Sequence, residues 1–200
     1  MEAAVPAAVN RKFAGDTPAA TAAFTLIELL VVMAIIIVLA GLVLSTVGYV
    51  QKKGARSRAE TEIAAMSAAC ESYKADNGIY PRDNTTNQYT DTLDARQNFD
   101  ATQTVYQNAS LYLYDALFGA TSGSRTPNPG GRSYFTFKPN QLSPSDQAQP
   151  VAFIRDPFGN SYGYSTANQA DPITPKGYNP TFDLWSTANS TDPNQWIKNW

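Results

Sequence analysis

Two hundred residues carry 15 Lys and Arg against 17 Asp and Glu, a formal net charge of −2, so there is no basic excess of the kind a nucleic-acid surface needs. The length suits one folded domain with an additional segment and is short for two full-sized domains. Histidine is absent and Cys70 is the only cysteine. The commonest general base, the commonest transition-metal ligand and any intramolecular disulfide are excluded together.

Residues 1–23 (MEAAVPAAVNRKFAGDTPAATAA) read as a leader. They hold Arg11 and Lys12, are rich in Ala, and are interrupted by Pro6 and Pro18, which work against one continuous helix. A tail without order fits the same composition. From Phe24 the chain reads FTLIELLVVMAIIIVLAGLVLSTVGYV (24–50), with Glu28 its one charge. About 20 apolar residues at 1.5 Å each cross the hydrocarbon core, and an ordinary signal h-region has roughly 7–15. The segment is apolar on every side, which predicts a stem surrounded by lipid or by a filament core.

The period changes in KKGARSRAETEIAAMSAACESYKADNG (52–78). Ala59, Ile63, Met66, Cys70 and Tyr73 recur at helical spacing, with Glu60, Glu62, Glu71 and Lys74 elsewhere. One helix over 24–76 is expected, half apolar and half amphipathic. Asn77-Gly78 supplies its stop and Pro81 forbids continuation. Cys70 lies on the apolar stripe without a basic neighbour that would clearly lower its pKa, and reads as a small buried apolar residue.

Residues 82–108, dominated by Asn, Thr, Asp and Gln, read as a loop or surface excursion. ASLYLYDALFG (109–119) predicts a second helix, and TSGSRTPNPGGR (121–132) is turn-rich. Four strands are expected at 134–138, 151–154, 162–166 and 181–186, with the turn DPFGN (156–160) between the second and third. Trp196 and Trp200 are expected to fold back onto the domain. The fold class is α+β: a long N-terminal helix, membrane-spanning half plus amphipathic half, packed on a small antiparallel sheet. No catalytic constellation is visible: no Ser elbow, no phosphate-cradling Gly loop, no metal-spaced Cys set.

FTLIELL (24–30) resembles the type III signal of type IV pilins and type II secretion pseudopilins: a short leader, a small residue, Phe, a Glu at the fifth mature position, then an apolar helix. Three further stretches resemble the major pseudopilin of type II secretion. YKADNGIYP (73–81) matches the end of its long helix, DPFGNSYGYS (156–165) its turn between strands, and FDLWS (182–186) with NW (199–200) its final strand and C-terminal end. The likeness covers the first half of the mature chain and its last quarter; residues 82–150 do not match.

The resemblance implies a type IV pilin-like fold with three parts: a leader (1–23), a transmembrane and filament-core helix (24–50), and a periplasmic globular domain (51–200). It implies cleavage by a prepilin peptidase between Ala23, where the family usually has Gly, and Phe24, followed by N-methylation of Phe24. It implies that Glu28, beside the new amine, sets the stagger of subunits in a homopolymer. A lone Glu reaching lipid headgroups is the other reading of that residue. Further implied partners are the inner-membrane secretion platform and minor pseudopilins, with no nucleic acid. Charge counting alone puts the C-terminal domain in the cytoplasm, since Lys52, Lys53, Arg56 and Arg58 outnumber Arg11 and Lys12. The resemblance implies the opposite: a single-pass inner-membrane protein with a cytoplasmic N-terminus and a periplasmic domain.

No cofactor is required by this reading, but the family binds calcium in the loop after the last strand. Here that loop is 187–198, which offers Asn189, Asp192 and Asn194 with Ser186 just before it; Ser186, Asn189 and Asp192 are the candidate ligands, and a polar loop held by its own side-chain hydrogen bonds and by Trp packing is the alternative. The function so implied is that of a structural subunit in a pseudopilus for protein export. A type IV pilin for adhesion, motility or DNA uptake is the nearest rival, though those often carry a C-terminal disulfide loop. An unprocessed single-span protein with a binding domain is the rival from another class.

Overall fold

The computed structural model of the chain describes residues 24–83, 89–174 and 176–200. Residues 1–23, Ala23 and the leader with them, lie outside the described residues. The chain divides into two compact units, Met1–Thr46 and Val47–Trp200.

Helix α1 runs Leu26–Asn77. It stops where the sequence places its stop: Gly78 takes φ +78°, which glycine adopts without a steric penalty, and its N–H closes onto the Lys74 carbonyl at 2.7 Å. On the amphipathic half, Ala59, Ile63, Met66, Ala69 and Cys70 are buried. They share one core with Leu113, Leu117, Tyr162, Tyr164 and Leu184. The predicted stripe is therefore the face that meets the domain.

Helix α2, Thr104–Phe118, begins about a turn and a half before the predicted 109. Tyr106, Ala109, Leu113 and Leu117 are fully buried at helical spacing along it. The polar look of 104–108 hid this first stretch, because Tyr106 is its one fully buried side chain, with Val105 only half-buried beside it. Gly119 ends the helix at φ +76°, and a Cβ there would stand 2.7 Å from the Arg132 carbonyl oxygen.

Among the described residues, five short strands follow. β1 (Leu142–Ser143) pairs antiparallel with β2 (Phe153–Ile154), Leu142 opposite Ile154. β3 (Gly163–Ser165), β4 (Asp183–Ser186) and β5 (Ile197–Lys198) form an antiparallel sheet in that order, with Gly163 opposite Trp185 and Trp185 opposite Lys198. A single antiparallel bridge, Arg155 to Ser161, joins β2 to β3 around the 156–160 turn. Helix α2 is tied to this junction: Ser110 Oγ accepts the Ile154 N–H at 2.9 Å, and Ser161 Oγ donates to the Tyr106 carbonyl at 3.3 Å. A one-turn helix, α3 (Ala167–Ala170), leaves β3. The architecture is α+β, a long N-terminal helix with a small antiparallel sheet.

Two expectations are corrected. Residues 134–138 form no strand, because the N–H groups of Tyr134 and Phe135 both donate to the Leu117 carbonyl and not to a neighbouring strand. Instead Phe137 packs against Phe135 and Tyr114, with ring centroids 4.7 and 5.2 Å apart. The stretch 89–103 is a loop as expected, but partly buried and not a surface excursion. Leu93 and Ala95 are fully buried and join Ala101, Tyr106, Trp185 and Trp196 in a second core. Its buried polar groups are paired: Asp91 takes Arg82 Nε at 2.9 Å and Thr166 Oγ1 at 2.6 Å, and Asp94 takes the Gly177 N–H at 3.0 Å. Such pairing offsets the cost of removing these groups from water.

Candidate functional site

The first site is the apolar length of α1. Phe24, Leu26, Ile37 and Leu44 expose between 68% and 84% of their surface, and the large apolar residues between them are exposed as well. Apolar area on this scale marks a surface that meets lipid or another protein. By length and composition α1 can cross a membrane.

At its start stands a reciprocal cap. The Thr25 N–H donates to Glu28 Oε2 at 2.8 Å, Thr25 Oγ1 donates to the same oxygen at 2.7 Å, and the Glu28 N–H donates back to Thr25 Oγ1 at 3.3 Å. Two helix-end donors are satisfied within three residues, and the carboxylate lies at the positive end of the helix dipole. Sequence reading assigned Glu28 and passed over Thr25. The signal was present as Thr-x-x-Glu ahead of an apolar run. Phe24 is adjacent to this cap and open to solvent; Ala23, the other half of the expected cleavage site, is outside the described residues.

The second site is the loop between β4 and β5. Its anchor is Asp156 in the 156–160 turn, a buried carboxylate. Oδ1 accepts the N–H groups of Phe158 at 3.0 Å and Asn160 at 2.8 Å, and Oδ2 accepts Ser186 Oγ. Burial pushes the Asp156 carboxyl up from its ordinary value, and these hydrogen bonds oppose the rise. Asn160 then donates from Nδ2 to Asn189 Oδ1, across 29 residues. Ala188 and Asn189 both take positive φ, +50° and +60°, and the Ala188 N–H closes onto Ser186 Oγ at 3.1 Å.

The three candidate calcium ligands are not brought together. Ser186 is fully buried and turned to Asp156. Asn189 spends its oxygen on Asn160. Asp192 Oδ1 caps its own turn, accepting Asn194 N at 3.0 Å and Asn194 Nδ2 at 2.9 Å. Calcium takes 6–8 oxygens, several of them carboxylate, and 187–198 holds one carboxylate. Among the described residues, no group of three His, Cys, Asp or Glu could hold a metal ion. The residues present do not fit a calcium ion.

No family model, no curated protein and no solved structure matches this chain. Cys70 is fully buried, and burial with the Glu71 charge beside it pushes the thiol up, away from the reactive thiolate. Tyr162 donates to Glu62 Oε2 at 2.8 Å and Tyr164 to the Pro81 carbonyl at 2.8 Å, so both phenols anchor to α1 or the segment just after it.

Proposed function

We propose that this chain is a structural subunit of a type II secretion pseudopilus with a type IV pilin-like fold. It is cut between Ala23 and Phe24 by a prepilin peptidase, N-methylated on Phe24, and polymerised through residues 24–50. Before assembly it resides in the inner membrane, its N-terminus cytoplasmic and its C-terminal domain periplasmic. Its partners are further copies of itself, the minor pseudopilins and the inner-membrane assembly platform. The observation that supports this most is the lone carboxylate of Glu28, seated in a cap at the head of the exposed apolar stretch of α1, which has no other charge before Lys52.

A carboxylate costs about 2.5–3.5 kcal/mol at the centre of a membrane helix and less toward an end. The Thr25 cap lessens that cost by satisfying Oε2. Both Thr25 bonds fall on Oε2, which leaves Oε1 for an ammonium group. Cleavage after Ala23 creates one on Phe24, one residue from the N–H that Glu28 already holds. A neighbouring subunit brings another. The register that pairs the charge is favoured over registers that leave it alone. Leaving lipid for a filament core gains much less than the roughly 1.5–3 kcal/mol of burying a Leu or Ile from water, so an energised assembly machine is part of the reading.

Mass analysis of the mature N-terminus is the direct test, with a methylated Phe24 expected. An intact Met1, or a mature start elsewhere, removes the proposal. Glu28→Ala is expected to leave cleavage in place and abolish polymer in cells; normal polymer in that variant also removes it.

A further inference from the structure

We propose that the 187–198 loop is closed by cationic and N–H groups of this chain's own, with Arg56 of α1 as the positioning residue, in place of a calcium ion. Five of the loop's carbonyl oxygens, those of Thr187, Ser190, Asp192, Pro193 and Gln195, already accept hydrogen bonds. Arg56 Nη1 donates to the Gln195 carbonyl at 2.7 Å, across 139 residues of sequence. The Trp196 indole N–H donates to the Ser190 carbonyl at 2.8 Å, and Lys198 Nζ reaches the Pro193 carbonyl at 3.5 Å. The Thr187 and Asp192 carbonyls take the N–H groups of Ser190 at 2.8 Å and Gln195 at 2.9 Å.

Two of these donors carry a full positive charge. Charge-assisted hydrogen bonds are roughly twice as strong as neutral ones. A divalent cation entering the loop would face the Arg56 and Lys198 charges, while Asp192 is the one carboxylate within the loop, and the two that border it are engaged, Asp100 by Thr102 and Asp156 by Ser186 and the 156–160 turn. Coulomb repulsion and the occupied oxygens therefore act in the same direction. Arg56 also does what an ion confined to the loop would not: it fixes the loop to α1, beyond the apolar segment on the same helix. This inference is independent of the polymer reading, since it concerns the folding of Val47–Trp200 alone.

The test uses the full chain in detergent micelles, by thermal unfolding and by amide exchange over 187–198, in millimolar calcium and in excess EGTA. The wild-type protein is expected to give the same Tm and the same exchange in both. Arg56→Gln is expected to lower Tm by roughly 2–4 °C and to speed exchange in 187–198, and Arg56→Lys to recover part of both. Calcium that raises the wild-type Tm or slows exchange in the loop overturns the proposal. So does an Arg56→Gln protein whose loop exchanges as in wild type, or an Arg56→Lys protein no better than Arg56→Gln.

Discussion

Replacing Asp156 by Ala removes three hydrogen bonds at once: the N–H groups of Phe158 and Asn160 on Oδ1, and Ser186 Oγ on Oδ2. Bonds to a charged acceptor are worth about 1.5–3 kcal/mol each. Against their sum stands the release of a buried carboxylate whose pKa burial has raised, and the two N–H groups belong to half-buried residues that water can partly reach. The balance is a loss of about 2–4 kcal/mol, which for a chain of this size lowers Tm by roughly 5–15 °C. Asp156→Asn is the control. It keeps Oδ1, hence both backbone bonds, and presents an N–H₂ group to Ser186 Oγ, which can turn to accept it. Its cost is expected at about 1 kcal/mol or less. Thermal unfolding followed by near-UV circular dichroism of the Trp residues reads both variants. If Asn is as damaging as Ala, the charge and not the turn geometry holds the site, and the reasoning fails; it fails too if Ala costs under about 1 kcal/mol.

Gly163→Ala puts a Cβ into the six-membered ring of Trp185, so a loss of about 1–3 kcal/mol or more and a changed near-UV Trp spectrum are expected. Cys70, fully buried and with its thiol pushed up, is expected to resist an aromatic disulfide reagent at mildly alkaline pH until the protein is unfolded; rapid native labelling would contradict its burial. Burial raises the carboxyls of Asp115, Asp156 and Asp183 above the ordinary 3.8. A raised folded value means their contribution is full below 3.8 and is lost as pH rises through the folded pKa. The Tm of Asp183→Asn relative to wild type should therefore climb as pH rises from 3.8 through the folded value, and a constant difference over that rise would show that Asp183 does not titrate there.

The long helix was legible because two cues agreed: an uncharged run too long for a signal core, then Ala59, Ile63, Met66 and Cys70 at one period, stopped by Asn77-Gly78. The turn at 156–160 was legible for the same kind of reason, since Asp-Pro and Gly are local chemistry. What escaped the sequence was non-local. β1 and β5 are two residues each, and their extended form is set by Ile154 and Trp185 opposite them, not by composition. The segment 89–103 looked like solvent-facing loop because its polar residues find one another only after Thr166 and Gly177 arrive from far along the chain. At the candidate sites, Glu28 was conspicuous as a charge in grease. Thr25, Asn160 and Arg56 were not, since a cap partner, an amide bridge and a guanidinium on a distant carbonyl declare themselves only by position. Ser186, Asn189 and Asp192 were joined by sequence proximity, and the backbone turns them in three directions.

The Trp185 ring is enclosed late. One face stacks on Trp196 at 5.9 Å and its rim meets Trp200 at 5.8 Å, while β5 supplies the outer neighbour of β4. On the other core, the α1 residues at 59–70 find Tyr162, Tyr164 and Leu184 about a hundred positions downstream. Contacts this distant along the chain form slowly. The amphipathic face of α1 therefore stays uncovered during synthesis until the residues around 162–184 that cover it have been made.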